Sequence, residues 1–161
     1  MSDQDDNVDR LIEEEMPGPA DLESALAHDM LSDVATHPAL FLESSTTVSE
    51  AINRMREHRR GCALVVEDGL LVGIFTERDV LMRIAGRSIN VEESRIDSFM
   101  TRDPVTLPPD SSVAFALNLM ALEGFRHIPL VDDSGRPLGV VSMRNLIEYL
   151  SEFYQREVLT L

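Results

Sequence analysis

The chain writes one phrase twice, GIFTERDVL from Gly73 to Leu81 and GVVSMRNLI from Gly139 to Ile147. Each has a glycine, two apolar residues, a hydroxyl residue, two variable residues and then Asp or Asn. The likeness extends upstream. Val48 aligns with Val113, Ala51 with Ala116, Asn53 with Asn118 and Met55 with Met120, at an offset of 65 that becomes 66 after one extra residue in the second copy. Thr36 aligns with Thr101, and Leu40 with Val105. A duplication of this length confines the chain to two copies of one supersecondary unit sharing a core.

Each copy reads β-α-β-β-α, a mixed α/β (α+β) class. ALFLE and PVTLP are short apolar strands. SSTTV and PPDSSV supply caps for a helix. In the second helix Val113, Ala116, Leu117, Met120 and Ala121 recur at helical spacing and predict one buried face. CALVV with GIF, and IPLV with GVV, predict antiparallel pairs closed by the turns EDGLL and DDSGRP. A last helix starts at Thr76 in the first copy and at Ser142 in the second. RIDSFM reads as a short helix before the second copy.

Composition excludes several kinds of chemistry. With 43% hydrophobic and 27% charged residues, the chain is an ordinary globular one. Its net charge of -15 makes a nucleic-acid backbone an unsuitable partner. Ten acids against Arg10 alone leave -9 of that charge in residues 1–30. Lysine is absent and all 14 basic residues are arginine, which excludes a Walker A loop and a lysine Schiff base. The single cysteine, Cys62, can make neither an internal disulfide nor a cysteine-rich zinc site. The four histidines show no i, i+4 pairing, so no metal site is expected. No apolar run reaches the roughly 18 residues of a membrane span, and the acidic start is unlike a secretory signal. The expectation is a cytoplasmic protein without a membrane partner. No motif frames a nucleophilic serine, so no catalysis is expected.

The repeat length, the element order and the glycine-strand-Thr/Ser-x-x-Asp/Asn ending resemble a tandem pair of CBS domains, a Bateman module. The resemblance covers roughly residues 33–153. It divides the chain into an acidic arm at 1–32, one repeat at 33–92, a second at 93–155 and a tail at 156–161. It implies two repeats packed through their sheets with pseudo-twofold symmetry. The clefts between such repeats hold AMP, ADP, ATP, S-adenosylmethionine or NAD-type dinucleotides. It also implies a homodimer.

Two readings of the repeated phrase stand side by side. Thr76 with Asp79 has the spacing of a capping box, and Ser142 with Asn145 is a weaker version. Gly73 and Gly139 leave room for a ligand or another backbone. An Asp at this position also suits two ribose hydroxyls, the role that the resemblance implies for Asp79, with the Thr76 hydroxyl on the phosphate side. Carried over position by position, the resemblance implies a main site of Thr76, Asp79, Thr101, Val105, Arg126 and His127. Thr101 and the backbone near Val105 would meet adenine, and Arg126 and His127 the phosphate. A weaker mirror site would contain Thr36, Leu40, Gly61, Cys62, Ser142 and Asn145. It lacks the carboxylate and the basic pair.

Residues 1–20 combine acid with MPGPAD and are expected to be disordered. From Asp21 to Val34, Leu22, Ala25, Leu26, Met30 and Leu31 predict a short amphipathic helix. Phe153, Tyr154 and Leu159 could support dimer contacts. The function implied is non-catalytic sensing of an adenosine nucleotide. Two alternatives are a scaffold with empty clefts and a subunit regulating an enzyme or transporter in trans.

Overall fold

A computed structural model describes residue 24, residues 26–34 and residues 38–159, with side chains as far as residue 152. Thr36, residues 1–23 and 25 of the acidic arm (Leu22 and Ala25 of the expected helix among them) and the side chains of Phe153, Tyr154 and Leu159 lie outside the described residues.

The first copy contains strand β1 (Phe41–Glu43), helix α1 (Val48–Glu57), strands β2 (Cys62–Glu67) and β3 (Leu70–Thr76), and helix α2. Helix α2 begins as one α-helical turn, Glu77–Asp79, and continues as a π-helical turn, Val80–Ile84. A short strand β4 (Thr101–Arg102) follows. The second copy contains α3 (Val113–Glu123), β5 (His127–Val131), β6 (Pro137–Ser142) and α4 (Met143–Leu159).

Caps and turns follow the residues that announced them. The Thr47 hydroxyl accepts from the Glu50 amide at 3.2 Å, and the Ser112 hydroxyl from the Phe115 amide at 3.2 Å. The β2–β3 hairpin turns on two residues, Asp68 at φ 50° and Gly69 at φ 79°, the left-handed pair of a type I′ turn. In the β5–β6 turn the Asp132 carboxylate accepts from the amides of Ser134 and Arg136, both at 2.9 Å.

Three local expectations change. PVTLP makes no strand; Leu107 alone bridges Leu130, because the flanking Pro104, Pro108 and Pro109 have no N–H for a ladder. RIDSFM narrows to a 3₁₀ turn, Ile96–Ser98. On α3, Val113, Ala116 and Met120 are buried and Leu117 is half-buried, but Ala121 is exposed, about 90° round from the stripe's centre.

The first sheet runs β1-β2-β3-β4, and β5 pairs with β6 in a second sheet. β1 is parallel to β2, whereas β2–β3, β3–β4 and β5–β6 are antiparallel. All four residues Cys62–Val65 are buried because both faces of β2 are covered. Ala63 and Val65 face the core of the first copy, with Val48, Ala51, Met55 and Phe75. Cys62 and Leu64 join Ile74 on the other face, where Leu71 and Val140 of β6 pack against them. The two copies thus meet through their sheets. A backbone bond from Leu71 N–H to the Gly135 carbonyl, 3.1 Å, also ties one hairpin to the other.

The leading segments cross. Residues just before the second copy dock on the first: Arg95 bridges Thr47, the Ile96 amide donates to the Thr46 carbonyl at 2.9 Å, and Ile96 and Met100 lie in the first core. Residues just before the first copy dock on the second. There Met30 bridges Ser112, the Leu31 amide donates to the Ser111 carbonyl at 2.9 Å, and Leu31 and Val34 lie in the second core. Burying Leu31 and Ile96 in this way contributes about 1.5–3 kcal/mol each. The Tyr149 hydroxyl on α4 also donates to the Asp29 carboxylate. The crossing breaks the helix expected through Val34. Residues 26–28 are helical, Met30 is extended at φ -98° and ψ 157°, and Leu31–Asp33 form a 3₁₀ turn. Met30 is 44% exposed rather than on a buried face.

Candidate functional site

β3 ends at Thr76, which caps α2. The Thr76 amide donates to Asp79 Oδ2 at 2.9 Å, its hydroxyl donates to the same oxygen at 2.7 Å, and Oγ1 accepts from the Asp79 amide at 3.3 Å. Asp79 is 6% exposed. Its other oxygen faces Arg83 Nε at 3.5 Å. Arg83 Nη1 donates to the carbonyls of Phe99 at 2.5 Å and Met100 at 2.9 Å. Asp79 is thereby tied through Arg83 to the segment that carries β4.

The second copy repeats the cap. The Ser142 amide donates to Asn145 Oδ1 at 3.0 Å, its hydroxyl donates to that oxygen at 2.5 Å, and Oγ accepts from the Asn145 amide at 3.2 Å. One acceptor oxygen suffices for this geometry, so Asp and Asn serve it equally.

β4 lies beside β3, with Thr101 paired to Ile74 and Arg102 to Gly73. Thr101 therefore stands next to the strand that delivers Thr76. A β-carbon on Gly73 would lie 2.5 Å from Met100 Sδ and 3.0 Å from the Thr101 carbonyl oxygen. The close approach at this glycine is made by the Met100 side chain and the Thr101 backbone. A β-carbon on Gly139 would meet nothing among the described residues within 4 Å. Val105 is exposed and Leu40 is buried.

The start of β2 and the start of β5 face each other across the two copies. A β-carbon on Gly61 would sit 3.4 Å from both His127 Nε2 and Glu77 Oε2. The Gly61 carbonyl accepts from the Glu77 amide at 3.0 Å, and the equivalent Arg126 carbonyl accepts from the Met143 amide at 2.9 Å. Arg78 Nη1 reaches across to the Gly124 carbonyl at 3.0 Å. One contact joins the two residue sets implied by resemblance: His127 of the main set meets Gly61 of the mirror set. Arg126 is exposed. The described side-chain bonds of Asp79 all stay within its own helix and cap.

Burial pushes the His127 pKa below its usual value; Glu77 opposes the shift and Arg126 adds to it. Burial likewise pushes the Cys62 thiol up to about 12, with Glu77 adding to the shift and Arg60 opposing it. His127 is therefore neutral and Cys62 an inert thiol at neutral pH.

Several participants were not singled out from the sequence. Glu77 lies where the two copies meet, and Arg83 pairs with Asp79. The Asp79-to-Arg83 spacing of four residues carried that second signal. No spacing pointed to Glu77, because its neighbours Gly61 and His127 are distant from it in sequence. Among the described residues there is no His/Cys/Asp/Glu cluster able to hold a metal ion, and no helix long and apolar enough to cross a membrane.

The family model for the CBS domain matches residues 31–86 and 96–152. A 17.7 kDa protein of the bps2 3′ region in Acidianus ambivalens is 33% identical over 125 residues, 77% of this chain and 74% of that one. The CBS domain-containing protein CBSCBSPB5 of Arabidopsis thaliana is 35% identical over 96 residues, 59% of this chain; the chain spans only 18% of that longer protein. The structure of the CBS domain pair of protein MJ0100, in complex with 5′-methylthioadenosine and S-adenosyl-L-methionine, is similar with a TM-score of 0.69. The two are 24% identical, and the match covers 77% of this chain and 97% of that one.

Proposed function

The chain belongs to the CBS-domain family as a tandem pair, and on that premise we propose that it is a non-catalytic regulatory module that senses an adenosine-containing nucleotide. The ligand occupies the cleft beside the Thr76–Asp79 cap. Asp79 accepts from the ribose hydroxyls, and Thr76 with Arg126 and His127 holds the phosphate side. Thr101 and the backbone toward Val105 flank the adenine. The mirror set of Thr36, Leu40, Gly61, Cys62, Ser142 and Asn145 takes a ligand more weakly, since Asn145 brings no charge.

One observation carries this reading. β4 belongs to the segment leading into the second copy, yet it pairs with β3 of the first, one strand away from the cap. A ligand seated at Thr76 and Asp79 would touch both copies, so its binding would bias their relative arrangement. The adenosine ligands of the MJ0100 pair support the ligand class. Leu81 at 68% and Ile147 at 57% exposure occupy equivalent positions on α2 and α4, and they support a homodimer through the helices.

Calorimetric titration with AMP, ATP and S-adenosylmethionine tests the reading on the wild type and on Asp79→Asn, which keeps the cap oxygen. We expect one of the three to bind the wild type and to bind Asp79→Asn at least about tenfold more weakly, the loss of a charge-assisted hydrogen bond. No binding at millimolar ligand, or equal binding to both proteins, overturns it.

A further inference from the structure

Between the C-terminal end of α1 and the start of α2 lies a cavity of about 210 Å³. Ile52, Met55 and Val80 make its apolar part, and Arg56, Arg59, Arg60 and Glu77 its polar part. Three guanidiniums against one carboxylate leave the lining at a net +2, on a chain whose net charge is -15.

Two features describe these arginines, of which Arg56 and Arg59 are exposed, and Arg126 and Arg136 share the first. First, none of the three makes an ion pair or side-chain hydrogen bond to a described residue, although acids outnumber bases 29 to 14 in the chain. Second, Arg59 has φ 52°, in the left-handed basin that residues with a β-carbon rarely occupy. The equivalent helix end in the second copy uses Gly124, at φ 72°. The C-terminal dipole of α1 favours basic residues in its last turn, and Arg56 there needs no other cause. It gives no reason to place an arginine in a backbone conformation that glycine adopts freely. The counterparts of Arg56 and Arg60 are Ala121 and Phe125, so the second copy has no comparable lining.

The geometry points to this cavity as a binding site for a small phosphate monoester with an apolar or aromatic body. The guanidiniums take the phosphate, for which their planar forks are suited, and Ile52, Met55 and Val80 cover the apolar body. The site belongs to the first copy alone. It is separate from the cleft residues of the nucleotide reading and meets them only near Glu77. Filling it would brace α1 against α2, the helix that carries Asp79.

Phenyl phosphate, inorganic phosphate and phenol are the probes, titrated calorimetrically into the full chain at fixed ionic strength. We expect phenyl phosphate to bind more tightly than inorganic phosphate, and phenol not to bind. Arg56→Gln/Arg60→Gln should weaken phenyl phosphate by at least about tenfold, and Arg59→Gly by about fivefold. Arg59→Gly should also melt no lower than the wild type, because glycine relieves the backbone, and this separates loss of ligand from loss of fold. Asp79→Asn should leave phenyl phosphate binding unchanged, so the two sites can fail independently. Absence of saturable binding at millimolar phenyl phosphate, or equal binding by the arginine variants and the wild type, overturns the proposal.

Discussion

The two copies share a skeleton and differ in what they place on it. Both end β3 or β6 in a hydroxyl residue that caps the next helix through one oxygen of the residue three positions on. The difference lies in the side-chain atom that the cap does not use. In the first copy it is the second carboxylate oxygen of Asp79, 3.5 Å from Arg83. In the second it is the amide nitrogen of Asn145, and the counterpart of Arg83 is Tyr149, whose hydroxyl bonds to Asp29. The same divergence appears at Arg59 against Gly124 and at Cys62 against His127. The cap hydrogen bonds stayed alike, whereas the charge of the residues that make or flank them differs.

The largest expected contrast is at the repeated glycines. Gly73→Ala should cost about 1–3 kcal/mol in urea melts, because Met100 is buried and the Thr101 carbonyl belongs to a paired strand. Gly139→Ala should stay within about 0.5 kcal/mol of the wild type. Equal losses would mean that the chain also packs across β6 as β4 does across β3.

Exchanging the cap residues comes next. Asn145→Asp should cost about 1–2 kcal/mol at pH 7, since it places a carboxylate at a buried site with a tyrosine where Asp79 has Arg83. Asp79→Asn should cost under about 0.5 kcal/mol by the same denaturant measurement, because the cap oxygen is retained. Similar losses in the two variants would show that Arg83 does not distinguish the sites.

A smaller effect separates the equivalent positions 62 and 127. The folded pKa of His127 lies below its unfolded value of about 6.5, so the unfolded chain takes up the proton first. The stability from the neutral imidazole is fully present above about pH 6.5 and is lost as pH falls toward the folded value. Thermal melts from pH 7.5 to 5.5 should show this slope, and His127→Gln should flatten it. Cys62, with its pKa near 12, contributes nothing in that window. Its counterpart test is chemical: at pH 8 the folded chain should react with a thiol reagent far more slowly than the urea-unfolded chain.

Much of this was legible in the residues. The doubled phrase announced two β-α-β-β-α units, Thr47 and Ser112 marked their first helices, and Asp68–Gly69 marked a hairpin. Thr76 with Asp79, and Ser142 with Asn145, were readable as caps from spacing alone. The strand expected at PVTLP was overstated because apolar alternation outweighed the three flanking prolines. The helix expected through Val34 failed because tertiary docking of Leu31 overrode local periodicity.

By itself the sequence determined the unit and its copy number, since caps, turns and apolar periods act over a few residues and are written in order. Only the tertiary structure decided which copy each leading segment joins. Leu31–Val34 and Ile96–Phe99 each begin and end on an apolar residue, and duplication made the two grooves that receive them alike. Nothing local tells such a segment its own groove from its neighbour's. Chain geometry settles the choice, and with it the meeting of Gly61, Glu77 and His127.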